Sequence, residues 1–182
     1  WMSDPTNPWF ARAFVNRVWA SYFHVGIVDP PDAFTPANPP SHPALLKWLT
    51  AGFIESGYDM KWLHRQIASS QAYQRSWKPN ATNPQDRRNF SRAIPRRLPA
   101  EVIYDAVKQA TVSTDKVQAV RSNLQRRATG FLSMRMAGTY AMNVFGKPSR
   151  SLNCDCERVS QPSLLQTVFL HNDPLIRMRL DE

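Results

Sequence analysis

Between Asp29 and Pro43 this chain carries six prolines: Pro30, Pro31, Pro36, Pro39, Pro40 and Pro43. Each fixes its own φ, removes an amide donor and pushes the residue before it into extended backbone. Neither a helix nor a sheet strand can pass through such a stretch. The expectation is an extended surface segment that separates one folding element from the next. It is too short and too poor in aromatics to read as a recognition motif.

On both sides the apolar residues recur at helical spacing. Asn7-Pro8 is a helix start, Asn as the cap and Pro at the first helical position. Phe10, Phe14 and Val18, with Ala11, Val15 and Tyr22, then carry an apolar pattern to Phe23. Arg12 and Asn16 are expected on a shared polar face, with Gly26 as the stop. After the proline stretch, Ser41 is the expected cap of a second helix with Leu45, Leu46, Leu49, Phe53 and Ile54 as its stripe, ending at Gly57. Asp59 caps a third, with Met60, Leu63 and Ile67 inward and Lys61 and Arg65 outward. The pattern fails around 76–83, and Asn83-Pro84 suggests a short helix through Phe90.

Pro99 opens a further helix whose expected inner face is Val102, Ile103, Ala106, Val107 and Ala110. Thr114 is a candidate cap for another, carrying Val117, Val120 and Leu124. From Thr129 to Ser160 no period persists, although alternation over Phe131 to Met136 allows a short strand. The close reads as a helix with Leu164, Leu165, Val168 and Phe169 inward, then a new start at Asp173-Pro174. The expected fold class is therefore mainly α, an irregular multi-helix domain with a long loop-rich segment near 129–160. At 182 residues, 42% hydrophobic and with six tryptophans, one well-buried domain spanning 1–182 is expected. Trp1-Met2-Ser3 and Arg179-Leu180-Asp181-Glu182 do not read as natural termini, so the chain is expected to be a fragment of a larger protein.

Twenty-three basic against 14 acidic residues leave a net charge of +9. That balance favours polyanions such as an acidic glycan, unless an acidic neighbouring domain offsets it. Arg87, Arg88, Arg92, Arg96 and Arg97 form a basic run around Phe90, but no helix-turn-helix, zinc-finger or RNA-binding signature accompanies it. Sequence-specific nucleic-acid binding is not expected. No apolar run approaches the ~20 residues of a transmembrane helix.

The two cysteines fall together in Cys154-Asp155-Cys156-Glu157-Arg158. They could supply half of a metal site, with His171 and Asp173 downstream to complete it, but zinc needs about four ligands and the spacing matches no common structural zinc pattern. A redox pair is a second reading, with Arg150 and Arg158 lowering the thiol pKa and Asp155 and Glu157 opposing them. A buried turn, in which Glu157 and Arg158 pair with other charges, is the simplest. The other charged constellation is Arg96, Arg97, Glu101 and Asp105. Spaced i,i+4, the two carboxylates share a helix face and could perform acid–base work in a cleft. An ion-pair network tying the helix start to the preceding loop is the plainer alternative. His24, His42, His64 and His171 match no zinc spacing, and no dinucleotide, Walker or nucleophile-elbow motif occurs.

The order of motifs resembles a known family. Asn16-Arg17-Val18-Trp19, Gly26-Ile27-Val28, Asp32-Ala33-Phe34 and Ser41-His42-Pro43 match its opening block. Lys61-Trp62-Leu63-His64-Arg65-Gln66-Ile67, Tyr73 and Arg96-Arg97-Leu98-Pro99-Ala100-Glu101 match its middle. Phe145-Gly146-Lys147-Pro148, the Cys154 to Arg158 block, Leu165-Gln166 and His171-Asn172 match its close. The chain in this respect resembles the planctomycete-associated PSD-type domain, domain of unknown function 1553, over nearly its whole length. The resemblance implies the C-terminal region of a large exported bacterial protein, with upstream domains of the same polypeptide as partners. It also implies an upstream cytochrome c module. The haem motif C-x-x-C-H is absent here, so any haem belongs to that module and no cofactor is assigned to this chain. The family has no established activity to transfer. The leading expectation is an interaction or scaffold domain in a cytochrome c-associated assembly. The alternatives are an enzyme domain acting on polysaccharide or a related polymer, using Arg96, Arg97, Glu101 and Asp105, and nonspecific polyanion binding.

Overall fold

The computed structural model describes residues 4, 6–123, 127–128, 139–147, 161–174 and 176–177. They fall into two compact units, Trp1–Arg96 and Arg97–Glu182. Both are helical. Among the described residues the only extended pairing is an isolated bridge between Thr35 and Asn38, so the chain is mainly α.

The first unit contains α1 (Pro8–Phe23), α2 (Pro43–Glu55) and α3 (Met60–Ala68). As the Asn-Pro pair predicts, the Asn7 side chain accepts the Trp9 amide at 3.1 Å and starts α1. The helix stops earlier than expected, at His24, which adopts a left-handed φ of 67° while its amide bonds the Ala20 carbonyl. Gly26 has a different role: a Cβ there would lie 2.1 Å from the Val28 carbonyl oxygen. Only glycine permits that approach. Ala11, Val15 and Trp19, at i, i+4 and i+8, face Leu46, Leu49 and Phe53 of α2 and Leu63 and Ile67 of α3, all buried. Phe14 stacks on Phe53 at 5.2 Å. Each fully buried leucine here contributes ~1.5–3 kcal/mol relative to an exposed one.

The proline stretch does not simply run extended. It folds on itself, with Asn38 Nδ2 donating to the carbonyls of Asp29 and Ala33, and Ala33 N–H to that of Pro30. It is also tied to α1 by Asn16, contrary to the polar-face reading of that residue. Asn16 is fully buried. Its Nδ2 donates to the carbonyls of Val28 and Pro31, both at 2.8 Å, and its Oδ1 accepts the Val28 amide at 2.9 Å. The proline-poor edge of the loop lends Ile27 and Val28 to the core as a result.

One cap of this unit differs from expectation. The Ser41 hydroxyl donates to the Ile27 carbonyl at 3.0 Å, leaving His42 at the N-cap of α2 with no side-chain cap bond. Asp59 does cap α3, accepting the Lys61 amide at 2.8 Å, but Met60 is exposed rather than inward. No helix forms over 83–90. Asn80 accepts the amides of Thr82 and Asn83, and Asp86 those of Arg88 and Asn89. These short side chains take the donors that a helix would need.

The second unit contains α4 (Ala100–Ala110), a 3-10 turn (Thr114–Lys116), α5 (Val117–Ser122), α6 (Thr139–Val144) and α7 (Leu164–Asn172). Lys116, not Thr114, occupies the N-cap of α5. The buried face of α4 is rotated from expectation: Ala100 and Glu101 are buried and Tyr104 and Val107 pack inward, while Val102, Ala106 and Ala110 are exposed. On α7, Leu164, Leu165 and Val168 are exposed, whereas Gln166 and Phe169 are buried. Phe169 meets Phe145 edge-on at 5.7 Å and joins Val144 and Ile176. The final start signal holds in that Asp173 accepts the Ile176 amide at 3.2 Å. α6 and the turn at 145–147 lie inside the segment expected to be irregular; 129–138, including the suggested strand, and 148–160 are outside the described residues.

Candidate functional site

In the second unit, α4 does place Glu101 and Asp105 one turn apart, and both turn toward the protein rather than an open cleft. Glu101 is 5% exposed. Asp105 is half-buried and its Oδ1 accepts the Ala128 amide at 2.9 Å, which fixes the chain at 128 against α4. Arg97 Nη1 donates to the Gln161 carbonyl at 3.1 Å and to Gln166 Oε1 at 2.7 Å. Gln166 Nε2 in turn donates to the Val144 carbonyl at 3.0 Å. The result is a relay from Arg97, three residues before α4, through a buried amide on α7, to the end of α6. Gln166 was hidden from periodicity because it interrupts an apolar run, and its place in the Leu165-Gln166 block is the one signal that pointed to it.

Arg96 is exposed and belongs to the first unit. His171 is exposed on the last turn of α7, while Cys154 and Cys156 lie outside the described residues. Among the described residues no group of three or more His, Cys, Asp or Glu is placed to hold a metal ion. None of the described helices is long and apolar enough to cross a membrane.

In the first unit the motif residues meet in space. Asn16 clamps Val28 and Pro31, and Arg17 pairs with Asp32 through two bonds, of 2.7 and 3.0 Å. The Arg17 guanidinium holds the Asp32 carboxyl below its usual range, but both side chains are well exposed and the pair is weak. Tyr22 Oη lies 2.8 Å from His64 Nδ1, joining α1 to α3.

Beside that pair is a cleft lined by Tyr22, Tyr73, Phe90, Asp86, Arg87 and Arg92. Tyr22 and Tyr73 meet edge-to-face at 5.2 Å, and Phe90, at a φ of 52°, packs its ring against Trp19 and Phe23. The Asp86 carboxyl is held far below the usual range by the Ser91 side chain beside it and by the amides of Asn89, Arg88 and Ser91. Its oxygens are therefore spent on its own loop. Arg75 and Arg92 donate to the neutral carbonyls of Phe90 and Pro84. Arg87 and Arg88 are exposed and make no ion pair among the described residues. The rim is positive.

A second surface feature lies on α2 and α3. The Trp62 ring closes on Gly52, where a Cβ would come within 2.3 Å of it. Trp48, 56% exposed, leans on Trp62 at 6.2 Å. A half-exposed indole thus packs beside a second indole that itself requires a glycine at its contact.

Residues 1–181 match the family model described as PSD1, protein of unknown function (DUF1553). Comparison with curated proteins and with solved structures gives no match. The matched span takes in the Asn16 clamp, the Tyr22–His64 pair and the Arg97–Gln166 relay, and the chain belongs to the PSD1 (DUF1553) family.

Proposed function

We propose that the chain is an interaction module, a helical scaffold domain of a larger exported, cytochrome c-associated protein, whose partners are upstream domains of the same polypeptide. Any haem resides on one of those domains. The observation that carries this reading is the braced indole of Trp48. An aromatic ring pre-positioned at the surface loses little freedom on binding and is the kind of group that dominates interface energies. Other features support it. Trp9 and Trp77 are also exposed, at 57% and 59%. The acid–base candidates Asp105 and Arg97 are engaged with backbone and side-chain partners that hold the second unit together. The test is capture of the separately expressed upstream region by the immobilised chain. Retention by wild type and its loss with Trp48→Ala are expected. Absence of retention, together with hydrolytic or redox turnover by the chain alone, would overturn the reading.

A further inference from the structure

We infer that segment 75–96 of the first unit is a docking surface for an acidic protein segment, a partner rich in glutamate and aspartate; this rests on the interaction-module reading. The segment carries six cations, Arg75, Lys78, Arg87, Arg88, Arg92 and Arg96, against one acid, Asp86. That acid does not neutralise them. Its Oδ1 takes the amides of Arg88 and Asn89 and its Oδ2 that of Ser91, so it acts as the staple that shapes the loop. The two guanidinium groups with bonds, those of Arg75 and Arg92, face neutral carbonyls and keep their full charge.

The segment is also built to hold its shape. The Ala93 amide donates to the Ser76 carbonyl at 3.1 Å, drawing its two arms together next to the exposed Trp77. Arg87 and Arg88 follow directly on the Asp86 turn, so their backbones are fixed before any partner arrives. Tyr73, 42% exposed, shares the cleft with Arg87.

Five of the six cations are arginine, and exposed Trp77 and Tyr73 stand with them. Arginine, tryptophan and tyrosine, with lysine scarce, are the side chains enriched at protein interfaces. The guanidinium fork matches a carboxylate through two parallel bonds. The interface enrichment favours an acidic protein segment; the carboxylates of an acidic glycan and the phosphates of a nucleic acid fit the same guanidinium fork, so competition by those polymers separates the three.

The experiment is fluorescence anisotropy of a short labelled peptide of glutamate and aspartate titrated with the 182-residue chain at several salt concentrations. Binding that weakens with salt is expected. The double variant Arg87→Ala/Arg88→Ala should weaken it about tenfold and flatten the salt dependence. Trp77→Ala should weaken binding while leaving the salt dependence in place. Arg87, Arg88 and Trp77 are exposed, so an unchanged far-ultraviolet circular dichroism spectrum and thermal midpoint confirm that each variant is folded. Polygalacturonate and polyuridylate of equal charge should compete poorly. No binding of the peptide, indifference to the double substitution, or stronger competition by either polymer would overturn the assignment. Capture of the upstream region through Trp48 is read separately, so loss of this docking surface and loss of the interaction-module reading are distinguishable.

Discussion

Replacing Asn16 by alanine should be among the most damaging single changes in the first unit. Asn16 is fully buried and makes three hydrogen bonds, to the carbonyls of Val28 and Pro31 and from the amide of Val28. Each bond contributes ~0.5–1.5 kcal/mol net, and a buried backbone group left without a partner costs ~1–3 kcal/mol. Partial relaxation of the loop offsets some of this, so a loss of about 3–5 kcal/mol is expected. Asn16→Asp is the sharper variant. It keeps the acceptor for the Val28 amide but turns a carboxylate toward two carbonyl oxygens, so it should be no better than alanine. Arg17→Ala is the control one residue away: its exposed pair with Asp32 predicts only ~0.2–1 kcal/mol. Urea unfolding followed by tryptophan fluorescence measures all three, since Trp19 is buried in the same core. A loss below ~1 kcal/mol for Asn16→Ala, equal to that of the exposed pair, would refute the claim that the proline stretch is held down by this side chain.

Three further outcomes follow from the same geometry. Gly52→Ala should destabilise the first unit by about 1–2 kcal/mol, because overpacking against Trp62 outweighs the helix-propensity gain of alanine; a rise in thermal midpoint would contradict the brace. Gln166→Leu should cost about 1–3 kcal/mol by removing the buried donor to the Val144 carbonyl, while Arg97 keeps its bond to the Gln161 carbonyl, and the neighbouring exposed Leu165→Gln should be within ~0.5 kcal/mol. The depressed carboxyls of Asp86 and Asp32 add stability that is present above the ordinary carboxylate pKa of about 4 and is lost as pH falls toward their folded values. Unfolding free energy measured from neutral to acid pH should therefore be level until about pH 5 and then decline, less steeply in Asp86→Asn.

Local chemistry was legible in the sequence; direction and long-range partnership were much less so. The Asn7 and Asp59 caps and the helices they open follow from side-chain oxygens reaching amides two residues away, which spacing alone reveals. Which face of a helix turns inward is harder when apolar residues surround it. On α7 the four candidate inward positions included three exposed ones, because the buried amide of Gln166 takes a place that hydropathy assigns to leucine. Asn16 was misplaced for the same reason: it reads as polar, and only the proline stretch folding back upon it makes its burial favourable. The Asn83-Pro84 start failed because Asp86 competes for the following amides. Of the candidate site, the i,i+4 pairing of Glu101 and Asp105 was readable, but their inward orientation depends on partners distant in sequence, the Ala128 amide for Asp105 and the packing of α4 on α6.

The central claim is that this family member acts by binding a partner through a surface that is already ordered. Isothermal titration of the upstream region of the polypeptide into the chain tests it most directly. Saturable binding is predicted, weakened by about 2 kcal/mol in Trp48→Ala, the loss of a hot-spot aromatic. Heat of dilution alone, with catalytic turnover of a polymer or redox substrate by the isolated chain, would contradict it.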